Sequence, residues 1–201
     1  MISTLIKLSE KKLIPDFIIR QGIKNLLKKR IQSLVSDNSE KNIQNKIQFI
    51  EKMNSSSIAL VPELANEQHY EIPEEFYNYC LGKHKKYSSC YWNEKTKNLD
   101  EAELLSLKLT SQHAQLTNGL NILELGCGWG SFTLWIAKQY PKSKVTAVSN
   151  SSSQRLYILE QAKKRKLKNI SVITEDMNTF SPKDKYDRVV SVEMIEHMRN
   201  H

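Results

Sequence analysis

Three glycines, Gly126, Gly128 and Gly130, follow the apolar run Ile122-Leu123-Glu124-Leu125, with Glu124 two places before the first of them. A residue without a Cβ tolerates positive φ and lets the backbone pass directly against a ligand. A helix opening at Ser131 would point its unpaired N–H groups back at the same spot. Strand, glycine turn and helix together make a nucleotide-cradling unit, and the G-x-G-x-G spacing is not the G-x-G-x-x-G of a dinucleotide fingerprint. A second set of reactive types is Glu193, Glu196 and His197, at i, i+3 and i+4, which share one face if a helical turn starts there. Carboxylates in that position favour a cationic acceptor by Coulomb attraction, and a histidine of ordinary pKa ~6.5 takes up a proton near neutral pH. A helix N-terminus that merely favours acidic residues produces the same pattern, so the residues alone leave both readings open.

The elements that must position these groups can be read on either side of them. Asn98-Leu99-Asp100-Glu101 predicts a helix start, with the helix running through Leu105 and Leu109 to the stop at Asn118-Gly119. A strand at 121–125 follows, then a helix from Ser131 that ends before Pro141, and a strand at 144–148. Ser151 and Gln154 form a capping box for the next helix, which closes in the basic run Lys163-Lys164-Arg165-Lys166. Strands at 170–174 and 186–192 complete the series. Strands alternating with helices of this length imply parallel βαβ units and a doubly wound α/β sheet. Such sheets bind ligands at the carboxyl ends of their strands. Glu124 to Gly130, Ser149 with Asn150, Glu175 to Met177, and Glu193 to His197 all fall there.

A chain of 201 residues with 39% hydrophobic content suits one globular domain plus an arm. Its net charge of +8 is concentrated at one end: residues 1–60 carry a net +6. Between Lys11 and Val35 apolar residues recur at helical spacing, with Arg20, Lys24, Lys28, Lys29 and Arg30 among them. The plainest expectation is an amphipathic helix packed on its own domain with a solvated basic face. The alternatives are peripheral contact with an anionic membrane or with nucleic acid. Residues 38–57 are polar and predict a linker with a short helix inside it. No apolar run approaches membrane-spanning length, and Met1 to Leu8 lacks the pattern of a secretory signal. Cys80, Cys90 and Cys127 are odd in number and lack metal-ligand spacing, so no metal is expected and a reducing cytoplasm is the simplest compartment. The expected organisation is a basic helical arm and linker at 1–60, a helical cap at 61–120 and a sheet core at 121–201.

The E-x-G-x-G-x-G turn resembles the S-adenosylmethionine site of class I methyltransferases. Together with four further blocks it resembles one branch of that class, the cyclopropane-fatty-acyl-phospholipid synthase-like superfamily, which also holds the coclaurine-type N-methyltransferases. The blocks are Asn66-Glu67-Gln68-His69-Tyr70-Glu71, Lys86-Tyr87-Ser88-Ser89-Cys90-Tyr91-Trp92, Ala147-Val148-Ser149-Asn150-Ser151 with Gln154, and Ser191-Val192-Glu193-Met194-Ile195-Glu196-His197-Met198. The resemblance covers about residues 60 to 201. It implies a Rossmann-like sheet with its first four parallel strands present, preceded by a helical region.

By the same resemblance, Tyr87 and Ser88 close over the amino-acid portion of S-adenosylmethionine, and Gly126 to Gly130 cradle it. Ser149, Asn150 and Gln154 lie by the ribose and adenosine, where most class I enzymes end strand two with a carboxylate; for Gln154 the capping box is an equal alternative. Asp176 and Met177 fall where adenine rests, the carboxylate able to accept from the exocyclic amine and the thioether able to pack on the ring, with a surface turn as the competing reading for Asp176. Glu193, Glu196 and His197 match the Glu-x-x-Glu-His that carries amine binding and base catalysis in coclaurine-type enzymes. Lipid cyclopropane synthases resemble the chain at Glu196-His197 but usually have glycine where Glu193 stands and cysteine where Ser89 stands. The expected activity is therefore methylation of a small amine, with an unsaturated phospholipid acceptor as the alternative and no nucleic-acid partner. Family members continue for roughly a hundred residues beyond the match, so a shortened chain that binds S-adenosylmethionine without turnover is the expectation from a different class.

Overall fold

Asn38, Asn98 and Ser151 start three helices in one way: each side-chain oxygen accepts from a backbone N–H of the first turn, removing one of the donors that a helix start leaves unpaired. A computed structural model describes residues 2–60 and 74–200, and the chain divides into two units, Met1–Ser55 and Ser56–His201. The Asn66 to Glu71 block and His201 lie outside the described residues.

The first unit holds α1 (Ile2–Glu10), α2 (Asp16–Leu34) and α3 (Ser39–Asn54). Pro15 at the N-cap fixes the entry to α2. Neither α2 nor α3 has a buried residue; Phe17 is 72% exposed and Leu26 66%. The short helix expected inside 38–57 is longer than expected, because α3 takes 16 of those residues. Its Asn38 cap and the apolar positions Ile43, Ile47 and Ile50 have helical spacing that the polar composition hides.

The second unit runs α4 (Glu74–Cys80), α5 (Leu99–His113), β1 (Asn121–Leu125), α6 (Ser131–Gln139), β2 (Lys144–Ser149), α7 (Ser152–Lys164), β3 (Ile170–Thr174), β4 (Arg188–Ser191) and a 3₁₀ turn, Ile195–His197. All pairings are parallel, in the order β3-β2-β1-β4. The order reverses at β1, which places a topological switch point beside its carboxyl end. Leu125 stands level with Val148 and with Ser191, and Ser149 with Thr174, so the strand ends are in line.

α5 ends at His113, short of the expected Asn118-Gly119 stop. Gln115 takes a left-handed φ of 51°, and the N–H groups of Gln115 and Leu116 donate to the carbonyls of Gln112 and Ser111. α7 closes in the same way at Lys166. Both are Schellman closures that use a residue other than the usual glycine, which a search for Gly or Asn stops passes over. Residues 132–137 of α6 are buried throughout, and the helix supplies side chains to both hydrophobic clusters of the unit: Leu134 to one, Phe132, Trp135, Ile136 and Ala137 to the other. A nine-residue helix buried all round is held by tertiary packing rather than by propensity.

Candidate active site

The turn after β1 hangs on the end of β2: the N–H groups of Gly126 and Cys127 both donate to the Val148 carbonyl at 3.0 Å. Its three glycines all have positive φ, of 75°, 52° and 74°, but they do different work. A Cβ on Gly126 would stand 2.5 Å from Met194 Cγ, and one on Gly130 would stand 2.5 Å from Ile158 Cγ1. These two are close-packing positions, the first against the segment after β4 and the second against α7. A Cβ on Gly128 would meet nothing within 4 Å. Gly128 alone opens onto free space, a narrower cradle than the three-glycine reading of the sequence.

That space is a cleft at the carboxyl ends of β1 and β4. It is walled by Lys86, Tyr87 and Ser88 on one side, Leu107 and Thr110 of α5, Glu124 and Ser131 at the turn, and Val192 and Glu193 beyond β4. Gly130 at the N-cap of α6 supplies no side-chain cap, so the helix start presents its first N–H groups beside the turn. Ser131 Oγ, Trp129 Nε1 and Gln154 Nε2 are buried without a hydrogen-bond partner among the described residues. An open glycine, an uncapped helix start and the unpartnered donors of Ser131 and Trp129 in the cleft lining fit a ligand carrying a carboxylate, and Glu124 is the acceptor in that lining that fits an amine.

Glu124 is 3% exposed, and Thr133 Oγ1 donates to it at 2.5 Å. Burial pushes its carboxyl up to about 7, against the smaller opposing effect of the Thr133 hydrogen bond. Burial and then the Glu124 carboxylate raise the neighbouring Cys127 thiol well above its ordinary range, which marks it as an inert core thiol. Lys86 is also buried, and its Nζ donates to Ser88 Oγ at 2.6 Å and to the Ser89 carbonyl at 2.7 Å. Burial lowers its ammonium, partly offset by Cys90, Glu193 and Glu103. Tyr87 lies edge-on to Tyr77, ring centres 5.5 Å apart, and Tyr77 in turn leans on Trp129 at 5.4 Å. The loop carrying Tyr87 is thus tied to the glycine turn through a buried ring.

The remaining expected residues separate into those at the cleft and those beside it. Glu193 lines it, accepting from Ser89 Oγ at 3.3 Å. It does so with φ at 55°, outside any helical turn. The expected turn beginning at Glu193 is therefore corrected: a 3₁₀ turn begins at Ile195 and holds Glu196 and His197, both exposed and outside the cleft lining. Ser149 Oγ donates to Gln154 Oε1 at 2.6 Å and accepts from the Ser151 N–H. The capping box is then half formed: Ser151 caps the Gln154 N–H, but the Gln154 side chain turns to Ser149 instead of reaching back. Asn150 is half-buried just past β2. Asp176 Oδ1 accepts from the Asn178 N–H at 2.7 Å, which makes it the pivot of a tight turn, with Met177 half-buried beside it.

Sequence reasoning missed Lys86, Ser131 and the α5 wall. Lys86 stands inside a block already singled out, but a lysine reads as solvated until its burial is seen. Asn178 was also missed: its amide pairs with both the N–H and the carbonyl of Ala59, fastening residues 57–59 to the loop after β3. Among the described residues no helix is long and apolar enough to cross a membrane, and no cluster of His, Cys, Asp and Glu could hold a metal ion.

The family model for mycolic acid cyclopropane synthetase matches residues 62–201. (S)-Coclaurine N-methyltransferase of Thalictrum flavum subsp. glaucum is 37% identical over 201 residues, covering 100% of this chain and 56% of the relative. The cyclopropane-fatty-acyl-phospholipid synthase of Escherichia coli strain K12 is 29% identical over 135 residues, 67% of this chain and 34% of the synthase. The crystal structure of coclaurine N-methyltransferase bound to N-methylheliamine and SAH superposes with a TM-score of 0.86 at 38% identity, covering 99% of this chain and 57% of that one. The chain thus spans little more than half the length of the N-methyltransferases it matches.

Two outcomes test this geometry. Since Glu124 titrates near 7 when folded and near 4.5 when free, the native state holds the extra proton between those values. Its contribution to stability is complete below pH 4.5 and is lost as pH rises through 7, a loss of about 3 kcal/mol. Urea unfolding at pH 4 and pH 8 should show that fall in the wild type and not in Glu124→Gln; parallel pH slopes in the two would contradict it. The left-handed φ of Glu193 makes Glu193→Gly more stable than Glu193→Ala by about 1 kcal/mol, the reverse of the usual order. An alanine variant as stable as the glycine one would remove the strain from the account.

Proposed function

The chain belongs to the mycolic acid cyclopropane synthetase family, and from that membership we propose that it serves an S-adenosylmethionine-dependent methyltransferase acting on a small amine. The observation that carries the proposal is Gly128, open onto a cleft between the ends of β1 and β4, in a chain that aligns along its whole length with an amine N-methyltransferase. SAH, bound in the superposed structure, is what remains of S-adenosylmethionine once its methyl group has gone. That group supplies an electrophilic methyl on a sulfonium, so the protein needs no nucleophile of its own, only alignment, proton removal and charge stabilisation.

Each task falls to named side chains. Gly128 admits the amino-acid end against the backbone, with the α6 N–H groups and Ser131 Oγ offered to its carboxylate and Glu124 to its amine. A cation beside Glu124 favours the ionised carboxylate, so below pH 7 binding releases a proton from Glu124. Tyr87 and Ser88 cover the same end. Gln154 Nε2, buried and unpartnered, is the group best placed to serve the nucleoside side, since Ser149 Oγ is engaged within the helix start. Asn150, Asp176 and Met177 complete that side, Asp176 through the carboxylate oxygen not used in its own turn. Glu193, at the cleft, attracts the acceptor as an ammonium, and Glu196 with His197 takes the proton that must leave nitrogen before it can attack.

A phospholipid acceptor is the second reading, supported by the family model and by the bacterial synthase. Exposed basic and apolar residues of α2 would then supply peripheral contact with an anionic membrane. Glu193 weighs against this reading. A carboxylate held at a φ better suited to glycine costs about 1 kcal/mol of backbone strain, and such strain is retained where the side chain has work to do.

Isothermal titration with S-adenosylmethionine should give saturable binding that Gly128→Val abolishes, and the protein should transfer labelled methyl to one of a panel of amines, with the activity lost in Glu196→Ala. No heat with the wild type would end the cofactor reading. Transfer to unsaturated phospholipid alone would favour the lipid reading, and binding without transfer to either acceptor class would favour a cofactor-binding chain that does not turn over.

A further inference from the structure

The loop from Gly82 to Ser88 carries four residues of the cleft wall, Lys85, Lys86, Tyr87 and Ser88, yet contributes no regular structure of its own. Four of its backbone donors, at Gly82, Lys83, His84 and Lys86, are taken up instead by the first turns of α5. Glu103, 0% exposed, accepts from the N–H of Gly82 at 2.9 Å and of Lys86 at 3.1 Å through Oε1, and from the N–H of His84 at 2.8 Å through Oε2. Asp100 Oδ1 accepts from the Lys83 N–H at 2.8 Å, and the Lys85 N–H closes onto the Gly82 carbonyl. Every N–H from 82 to 86 is therefore accounted for, three of the five by one buried carboxylate.

We infer that Glu103 is a positioning residue: it sets the loop that brings Lys86, Tyr87 and Ser88 to the cleft. Two details distinguish this from ordinary burial of a polar group. A carboxylate offers two acceptor oxygens and no donor, which is what three converging N–H groups require. Glutamine, of the same shape, would set an NH₂ against a backbone donor and leave it unpaired in the interior. Gly82 completes the fit, since a Cβ there would stand 2.6 Å from Asp100 Oδ1 and 2.7 Å from Glu103 Oε2. The same face of α5 continues the support outward: Ser106 Oγ donates to the Ser89 carbonyl at 3.4 Å, the carbonyl that also receives Lys86 Nζ. Leu107 and Thr110 follow on that face and enter the cleft wall themselves.

The test compares wild type, Glu103→Gln, Gly82→Ala and Ser143→Ala in the full chain. Ser143 holds the Gly119-Leu120 turn, away from the loop, and serves as a control for general destabilisation. Hydrogen exchange read at single amides should rise at least tenfold at Gly82, His84 and Lys86 in Glu103→Gln, and stay unchanged there in Ser143→Ala. The Kd for S-adenosylmethionine should weaken at least tenfold in Glu103→Gln and hold in Ser143→Ala. This affinity arm rests on the cofactor reading above; a wild type that binds no S-adenosylmethionine would defeat that reading, while the exchange arm still decides the role of Glu103. Should Glu103→Gln fail to fold, Gly82→Ala opens the same contacts from the loop side, with the same exchange expected. Unchanged exchange at the three amides, or affinity lost equally in Ser143→Ala, would overturn the inference.

Discussion

A single carbonyl carries the site. Val148 O, at the end of β2, accepts from both Gly126 and Cys127, and this paired bond bends the chain out of β1 so that α6 can start five residues further on. Once the bend is fixed, Gly126 must admit Met194 and Gly130 must admit Ile158. The segment after β4 and the helix α7 are thereby drawn to within van der Waals distance of the turn, and only Gly128 is left facing open space. The cleft is what remains when strand end, helix start and the post-β4 segment have been packed around one turn.

Two buried carboxyl groups then divide the labour on either side of it. Glu103 accepts from three backbone N–H groups of the 82–86 loop. Glu124 has only the Thr133 hydroxyl and pays for its burial by a raised pKa, which leaves it responsive to any cation brought into the cleft. The two differ in the donors that meet them: three backbone N–H groups at Glu103 and one hydroxyl at Glu124.

The sheet was legible because its signals are local: strands at 121–125, 144–148 and 170–174 agree with those observed to within one residue, and apolar runs between turn residues announce them. β4 proved shorter than the expected 186–192 because Tyr186 and Asp187 lie ahead of the first paired residue. Helix ends were less legible where Gln115 and Lys166 adopted the conformation that glycine usually supplies. At the site, the glycine spacing located the turn but could not assign the three glycines their separate neighbours, which come from Met194 and Ile158, 68 and 28 residues away in sequence. Glu103 and Lys86 were invisible for the same reason. Their significance lies in burial and in partners brought up by folding, and neither residue type suggests burial in advance.

Gly128 and the 86–88 loop line one cleft, at the ends of β1 and β4. Backbone amide chemical shifts recorded during a titration with SAH test it most directly. The account predicts that Gly128, Ser131, Tyr87 and Ser88 shift together along one saturating curve while α1 to α3 stay fixed. Saturable shifts confined to other residues, with those four unmoved, would contradict it.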